Sequence, residues 1–167
     1  MNIYVVRHGE ARPIGGMVAN DGERPLSPRG EQDVRSIGQV LVRTEPEAPR
    51  IVCSPLLRAR STASLLGERY ATPPVPEVWD DLAPGIRLKD IVSLLQKNGP
   101  GPIVLVGHQP DMTHLIAYLV ADAAAEIAFP PGAMAALTLP QGTGAGAGRL
   151  HWLVTPELVG SLLTIND

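Results

Sequence analysis

Short apolar runs rich in β-branched residues alternate along the chain with longer stretches whose apolar positions recur every three or four residues. Ile3 to Val6 is the first run and predicts a short buried strand. After a Gly-containing loop, "SPRGEQDVRSIGQVLVRT" offers Ser27 as helix N-cap and Pro28 as the first helical residue, with Val34, Ile37 and Leu41 on one face. Arg50 to Cys53 is a second apolar run, and Ser54-Pro55 repeats the cap signature ahead of the helical stretch "LLRARSTASLLGERY". The Pro-rich "PPVPEVWDDLAPG" reads as a connection holding an edge strand, followed by a helix built on Leu88, Ile91, Val92 and Leu95 and stopped by "NGPGP". "IVLV" gives a third buried strand and "DMTHLIAYLV" the next helix, while "AMAALTL" and "RLHWLV" flank "PQGTGAGAG" as antiparallel strands around a flexible loop. The Ala-rich "VADAAAEIAF" reads as a helix end, and "TPELVGSLLTIND" carries no decisive pattern.

Strands that are apolar throughout and separated by helices are covered on both faces. The expected fold is therefore α/β: a three-layer α/β/α arrangement with a mostly parallel central sheet and an antiparallel edge strand from the late hairpin. No linker or repeat interrupts the pattern, so residues 1–167 are expected to form a single domain.

Composition narrows the function classes. A net charge of −3 gives no electrostatic reason for a nucleic-acid or anionic-membrane surface, so any anion site must be local. Lys89 and Lys97 are the only lysines among 14 basic residues, which leaves almost all positive charge on planar guanidiniums suited to phosphate. Cys53 stands alone, so no internal disulfide and no Cys-based zinc site can form, and a reducing, cytoplasmic setting is expected. No apolar run reaches the roughly 18 residues of a membrane span.

In open α/β sheets the ligand crevice lies outside the carboxyl ends of the strands. Both "RH" after Val6 and "GH" before Gln109 fall at such ends, and Arg58 comes from a third strand-to-helix junction. These junctions can converge on one phosphate, whose transfer is catalysed mainly by positioning and charge stabilisation. An imidazole with one free ring nitrogen is a competent nucleophile, and His8 is the candidate. Gly9 and Gly107 would leave room for close approach of the phosphate. His114 and His151 read as structural, Glu10 as an ion-pair partner, and Arg12, Arg24 and Arg60 as solvated, with Arg24 a candidate for lining the mouth. The Gly-rich, polar "RPIGGMVANDGERPLSPRG" suggests a mobile loop there.

Four blocks, "RHGE" at 7 to 10, "RPLSPRG" at 24 to 30, "SPLLRARSTA" at 54 to 63 and "GHQPDM" at 107 to 112, together resemble the histidine phosphatase (phosphoglycerate-mutase-like) superfamily, most closely its SixA-type phosphohistidine phosphatases. The resemblance runs from residue 1 to about 155. It implies an α/β fold, no metal or other cofactor, phosphate binding by Arg7 and Arg58, phosphorylation of His8, and stabilisation of the transferring group by His108. This chain has Gln109 where the mutase-like branch commonly has Gly, and residues 11 to 20 lack that branch's Ser-x-x-Asn pattern, so mutase activity is not expected.

Leaving-group chemistry separates the remaining substrates. Releasing an alkoxide demands a positioned proton donor, whereas an imidazole departs as a neutral ring once its other nitrogen carries a proton. Many larger relatives carry an acidic residue and lid material after the second arginine, but here only "EVWDDLAPG" separates that helix from the next. The expected pocket is open and admits a phosphorylated side chain on a folded protein, such as a histidine-phosphotransfer domain. Asp80 or Asp81 is the candidate acid that would bring small phosphate esters back as substrates. A monomer is expected.

Overall fold

The computed structural model describes residues 1–16, 18–121, 125–140, 142 and 144–163. Parts of several sequence readings lie outside the described residues: Met17 of the Gly-rich mouth loop, Asp122 to Ala124 of the Ala-rich run, and Gln141 and Thr143 of the hairpin loop. Residues 164–167 of the C-terminal stretch do as well.

The apolar runs form one six-stranded sheet. Strands β1 (Asn2–Arg7), β2 (Arg50–Cys53), β3 (Glu77–Val78) and β4 (Ile103–Gly107) are parallel, β5 (Met134–Thr138) pairs antiparallel with β1 and β6 (Arg149–Val154) antiparallel with β5, in the spatial order β3-β2-β4-β1-β5-β6. The antiparallel edge is thus two strands wide. Among the described residues, five α-helices complete the fold: α1 (Pro28–Thr44), α2 (Leu57–Gly67), α3 (Leu88–Lys97), α4 (Asp111–Ala121) and α5 (Pro156–Leu163). None of them is long and apolar enough to cross a membrane.

Strand alternation sorts the core into two layers. Ile3, Val5, Ile103 and Leu105 pack with Ile91 and Leu95 of α3 and Met112, Leu115 and Ile116 of α4. Tyr4, Val6, Val104 and Val106 face the other way, against Val34, Ile37 and Leu41 of α1, Ala59, Ala63 and Leu66 of α2, and Val159 of α5. Ser27 caps α1 as its sequence position predicts, its Oγ accepting from the Gly30 N–H at 3.0 Å, with Pro28 following.

The second cap reading is corrected. Helix α2 begins at Leu57 with Leu56 at its N-cap and no side-chain cap. Ser54 and Pro55 precede it, and the Ser54 Oγ accepts from the Leu56 N–H at 3.3 Å while lying 2.7 Å from His108 Nε2.

Topology places the crevice. Strands β1 and β4 are neighbours, yet the chain leaves β1 toward α1 on one face and leaves β4 toward α4 on the other. Their carboxyl ends therefore flank a switch point where no connection covers the sheet edge.

Candidate active site

Parallel register brings the two histidines together. Arg7 pairs with Gly107, and the next residue on each strand is His8 and His108. The His8 N–H extends the ladder to the Gly107 carbonyl at 3.0 Å. The two imidazole rings lie 5.0 Å apart, tilted by 57°. Both fall at even positions, on the face where α2 packs.

The partners of His8 fix its tautomer. Nδ1 lies 2.7 Å from the Gly9 carbonyl oxygen, which can only accept, so Nδ1 carries the proton. Nε2 faces the Arg58 Nε–H at 3.2 Å and therefore presents a lone pair. Burial is the main cause that pushes the His8 imidazole down to about 4; the Gly9 carbonyl opposes this, and the charges of Arg58, Arg7 and Arg24 add to it. At neutral pH the ring is uncharged and nucleophilic at Nε2.

His108 is buried at 3% exposure, and burial first, then His8 and Arg58, pushes it down to about 3. Its Nε2 lies 2.7 Å from Ser54 Oγ, and Nδ1 has no partner. With the serine hydroxyl donating to Nε2, the Nδ1 proton is left for a ligand oxygen. Ser54 is positioned for this by its own N–H, which donates to the Val106 carbonyl at 3.0 Å.

Two arginines complete the constellation. Arg7 donates from Nη1 to the Phe129 carbonyl at 2.9 Å, while its buried Nε has no partner. Arg58, on the first turn of α2, is only 5% exposed. Its Nη1 donates to the Asp21 carbonyl oxygen at 2.7 Å and its Nη2 to Asp21 Oδ2 at 2.9 Å. Thr62, one turn on, accepts from the Gly9 N–H at 3.0 Å and donates to the Arg58 carbonyl at 2.7 Å, tying α2 to the chain just after His8. Among the described residues, no three His, Cys, Asp or Glu side chains gather as a metal site would require. The positive charge at the site is that of the Arg7 and Arg58 guanidiniums beside two neutral imidazoles.

Four blocks of sequence, one register and one pair of neutral imidazoles thus meet at a single strand mouth. The histidine phosphatase superfamily (branch 1) matches residues 3–84. Over 115 residues the chain is 38% identical to an uncharacterised protein of Picosynechococcus sp., a span covering 67% of this chain and 68% of that one. The chain belongs to the histidine phosphatase superfamily. Phosphohistidine phosphatase SixA of Escherichia coli (strain K12) is 28% identical to it over 159 residues, 93% of this chain and 94% of SixA. A solved structure of the protein histidine phosphatase SixA with tungstate matches with a TM-score of 0.82 at 28% identity, covering 93% of this chain and 97% of that one. A mycobacterial glucosyl-3-phosphoglycerate phosphatase, at 22% identity and a TM-score of 0.69 over 90% of this chain and 98% of that one, shares the fold.

Several features of this histidine phosphatase differ from the sequence reading. A Cβ on Gly9 would lie 2.7 Å from Val34 Cγ2 and 3.0 Å from the Gly30 oxygen, and one on Gly107 would lie 2.6 Å from Met112 Cε. Both glycines make room for helices α1 and α4 rather than for a ligand. Glu10 accepts from the Ser27 hydroxyl at 2.9 Å instead of pairing with an arginine, and so ties the chain after His8 to the start of α1. Arg24 is partly exposed and also held in place: it pairs with Asp21 Oδ1 at 3.1 Å and donates from Nε to the Arg12 carbonyl at 2.6 Å. The mouth loop is laced by bridges between Ala11 and Leu26 and between Gly15 and Val18.

Asp80 and Asp81 lie in a 3-10 turn (Asp80–Leu82), are exposed, and line a shallow cavity with Pro84, Arg87 and Asp90. Among the described residues, the partners of His8, His108, Arg7 and Arg58 are Gly9, Ser54, Phe129 and Asp21 rather than either of these carboxylates. His114 is exposed on α4 and His151 bonds Thr138, both away from the site. Ser54, Thr62 and Asp21 escaped the sequence reading. In "SPLLRARST" Thr62 stands one helical turn beyond Arg58, a spacing that faces one side of α2, whereas Ser54 lies before the helix and nothing local marks Asp21.

Proposed function

We infer that this histidine phosphatase removes phosphate from a phosphorylated histidine on a signalling protein, by way of a phospho-His8 intermediate and without a metal ion. The observation that carries this reading is the pairing of an unprotonated His8 Nε2 with Arg58, where the carboxylate in contact with the arginines is Asp21. Hydrogen bonds from Arg24 foremost, and from Arg58, hold the Asp21 carboxyl below its ordinary range, so it is an anion rather than a proton donor. A site without an acid suits a leaving group that needs none.

In the first step the His8 Nε2 lone pair attacks phosphorus. The bond from phosphorus to the substrate imidazole breaks, and its electron pair returns to that nitrogen; with its other nitrogen protonated, the ring leaves neutral. His8 keeps its Nδ1 proton and becomes a phospho-imidazolium, whose positive charge the Gly9 carbonyl stabilises. Arg58 Nε–H moves from Nε2 to a phosphoryl oxygen, and the unpartnered Arg7 Nε–H and His108 Nδ1–H supply further donors. In the second step water attacks phosphorus, the P–N bond to His8 breaks, inorganic phosphate leaves and the neutral imidazole is restored.

Rapid quenching of the enzyme with a phosphohistidine-bearing protein, followed by peptide mass spectrometry, is expected to find acid-labile phosphate on His8 and none in His8→Ala. Turnover is expected to be unchanged by a metal chelator. Phosphate on another residue, or chelator-sensitive turnover, would contradict the reading. A second reading, hydrolysis of small phosphate esters, draws on the exposed carboxylates of Asp80 and Asp81. It requires that the double Asn variant lose ester turnover.

A further inference from the structure

We propose that Asp21 is the positioning residue that aims Arg58 at the transferring phosphoryl group; this rests on the reading that the phosphoryl group is received between His8 and Arg58. A guanidinium has two useful edges: the end formed by Nη1 and Nη2, and the side formed by Nε and Nη2. Asp21 takes the end, accepting from Nη1 with its backbone carbonyl and from Nη2 with its carboxylate. The side edge is thereby turned toward His8, with Nε–H at 3.2 Å from the nucleophilic nitrogen.

Asp21 is itself held from behind. It opens a 3-10 turn (Asp21–Glu23) whose N-cap, Asn20, accepts from the Glu23 N–H at 3.1 Å. Its second carboxylate oxygen accepts from Arg24 Nη1, and Arg24 is anchored to the backbone carbonyls of Arg12 and Ala11. A relay Arg24–Asp21–Arg58–His8 therefore fixes the rotation of a guanidinium that has no other acceptor among the described residues. A buried arginine with a free end would swing, and a misplacement of about 1 Å at a reacting centre costs on the order of 100-fold in rate.

The same contacts admit an opposite role, in which the carboxylate occupies Arg58 as a competing anion. The two roles give opposite signs. The Asp21 side chain is 52% exposed, so its truncation leaves the core untouched. Binding of inorganic phosphate, followed by 31P NMR, and single-turnover formation of phospho-His8 are measured for wild type, Asp21→Ala and Asp21→Asn.

The positioning role predicts that Asp21→Ala binds phosphate at least about tenfold more weakly and forms phospho-His8 about 10- to 100-fold more slowly. Asp21→Asn keeps one oxygen as an acceptor for Nη2 but turns its NH2 toward Arg24, and is expected to fall between wild type and Asp21→Ala. Tighter or unchanged phosphate binding in Asp21→Ala would overturn the assignment in favour of a competitor or a bystander, and an Asn variant as impaired as the Ala variant would overturn it too. Should wild type form no phospho-His8, the catalytic reading fails, while the phosphate titration still decides the role of Asp21.

Discussion

A half-buried imidazole beside two guanidiniums is the residue-scale feature on which the chemistry turns. Burial keeps His8 neutral to about pH 4 and His108 to about 3, whereas both protonate near 6.5 when the chain unfolds. The unfolded chain therefore binds more protons than the folded one between those values. Stability is expected to be highest above about 6.5 and to fall on acidification toward about 4, with His8→Asn flattening part of the slope in urea melts followed across pH. A 15N NMR titration is expected to place the His8 transition well below 6.5, with the proton on Nδ1 throughout the neutral range. A transition at or above 6.5 would contradict the nucleophile assignment. Ser54 is the complementary test: Ser54→Ala strands His108 Nε2 without a partner in the interior, with an expected loss of about 1–3 kcal/mol in denaturant titration and reduced turnover.

At the scale of elements, the loop after β1 and the start of α1 are fitted to each other. A Cβ on Gly30 would sit 2.2 Å from the Glu10 oxygen and 2.8 Å from its nitrogen, both backbone atoms that cannot turn aside. Gly30→Ala is expected to destabilise by roughly 1–3 kcal/mol and, by shifting Gly9 and Glu10, to slow phosphoryl transfer to His8. Thermal unfolding and single-turnover kinetics together check this. Element identity was legible because strands and helices bury whole faces: Ile3 to Val6, "IVLV" and the periodic set Val34, Ile37, Leu41 announce themselves by spacing alone. The same logic exposed Arg7, His8 and His108, since a polar residue at the end of an apolar strand has few places to go. Ser54 was misread because Ser-Pro is a cap signature wherever it occurs, and only the register of β2 against β4 turns its hydroxyl to His108. Asp21 was invisible for a related reason: its partner Arg58 is 37 residues away, and no periodicity links a loop carboxylate to a helix start. The glycines were recognised as necessary, but their crowding neighbours Val34 and Met112 are tertiary facts.

For the whole molecule, what matters is where the sheet changes direction and what is left uncovered there. Oppositely directed connections from β1 and β4 open the crevice, the four blocks of sequence meet in it, and the segment between β3 and α3 stands beside it as a short turn. The hydrogen bond from the Gly85 N–H to Asp111 Oδ2, at 2.7 Å, pins that segment to the start of α4, just beyond His108. Asp80→Asn with Asp81→Asn is expected to leave phosphohistidine turnover within about twofold of wild type, because the leaving imidazole needs no acid. The most direct test of the central claim compares wild-type turnover of a phosphohistidine-bearing protein with that of a panel of sugar, nucleotide and lipid-headgroup phosphate esters, with His8→Ala as control. Faster loss of phosphate from the histidine, abolished by the substitution, is the predicted result; faster ester turnover by the wild-type enzyme would contradict it.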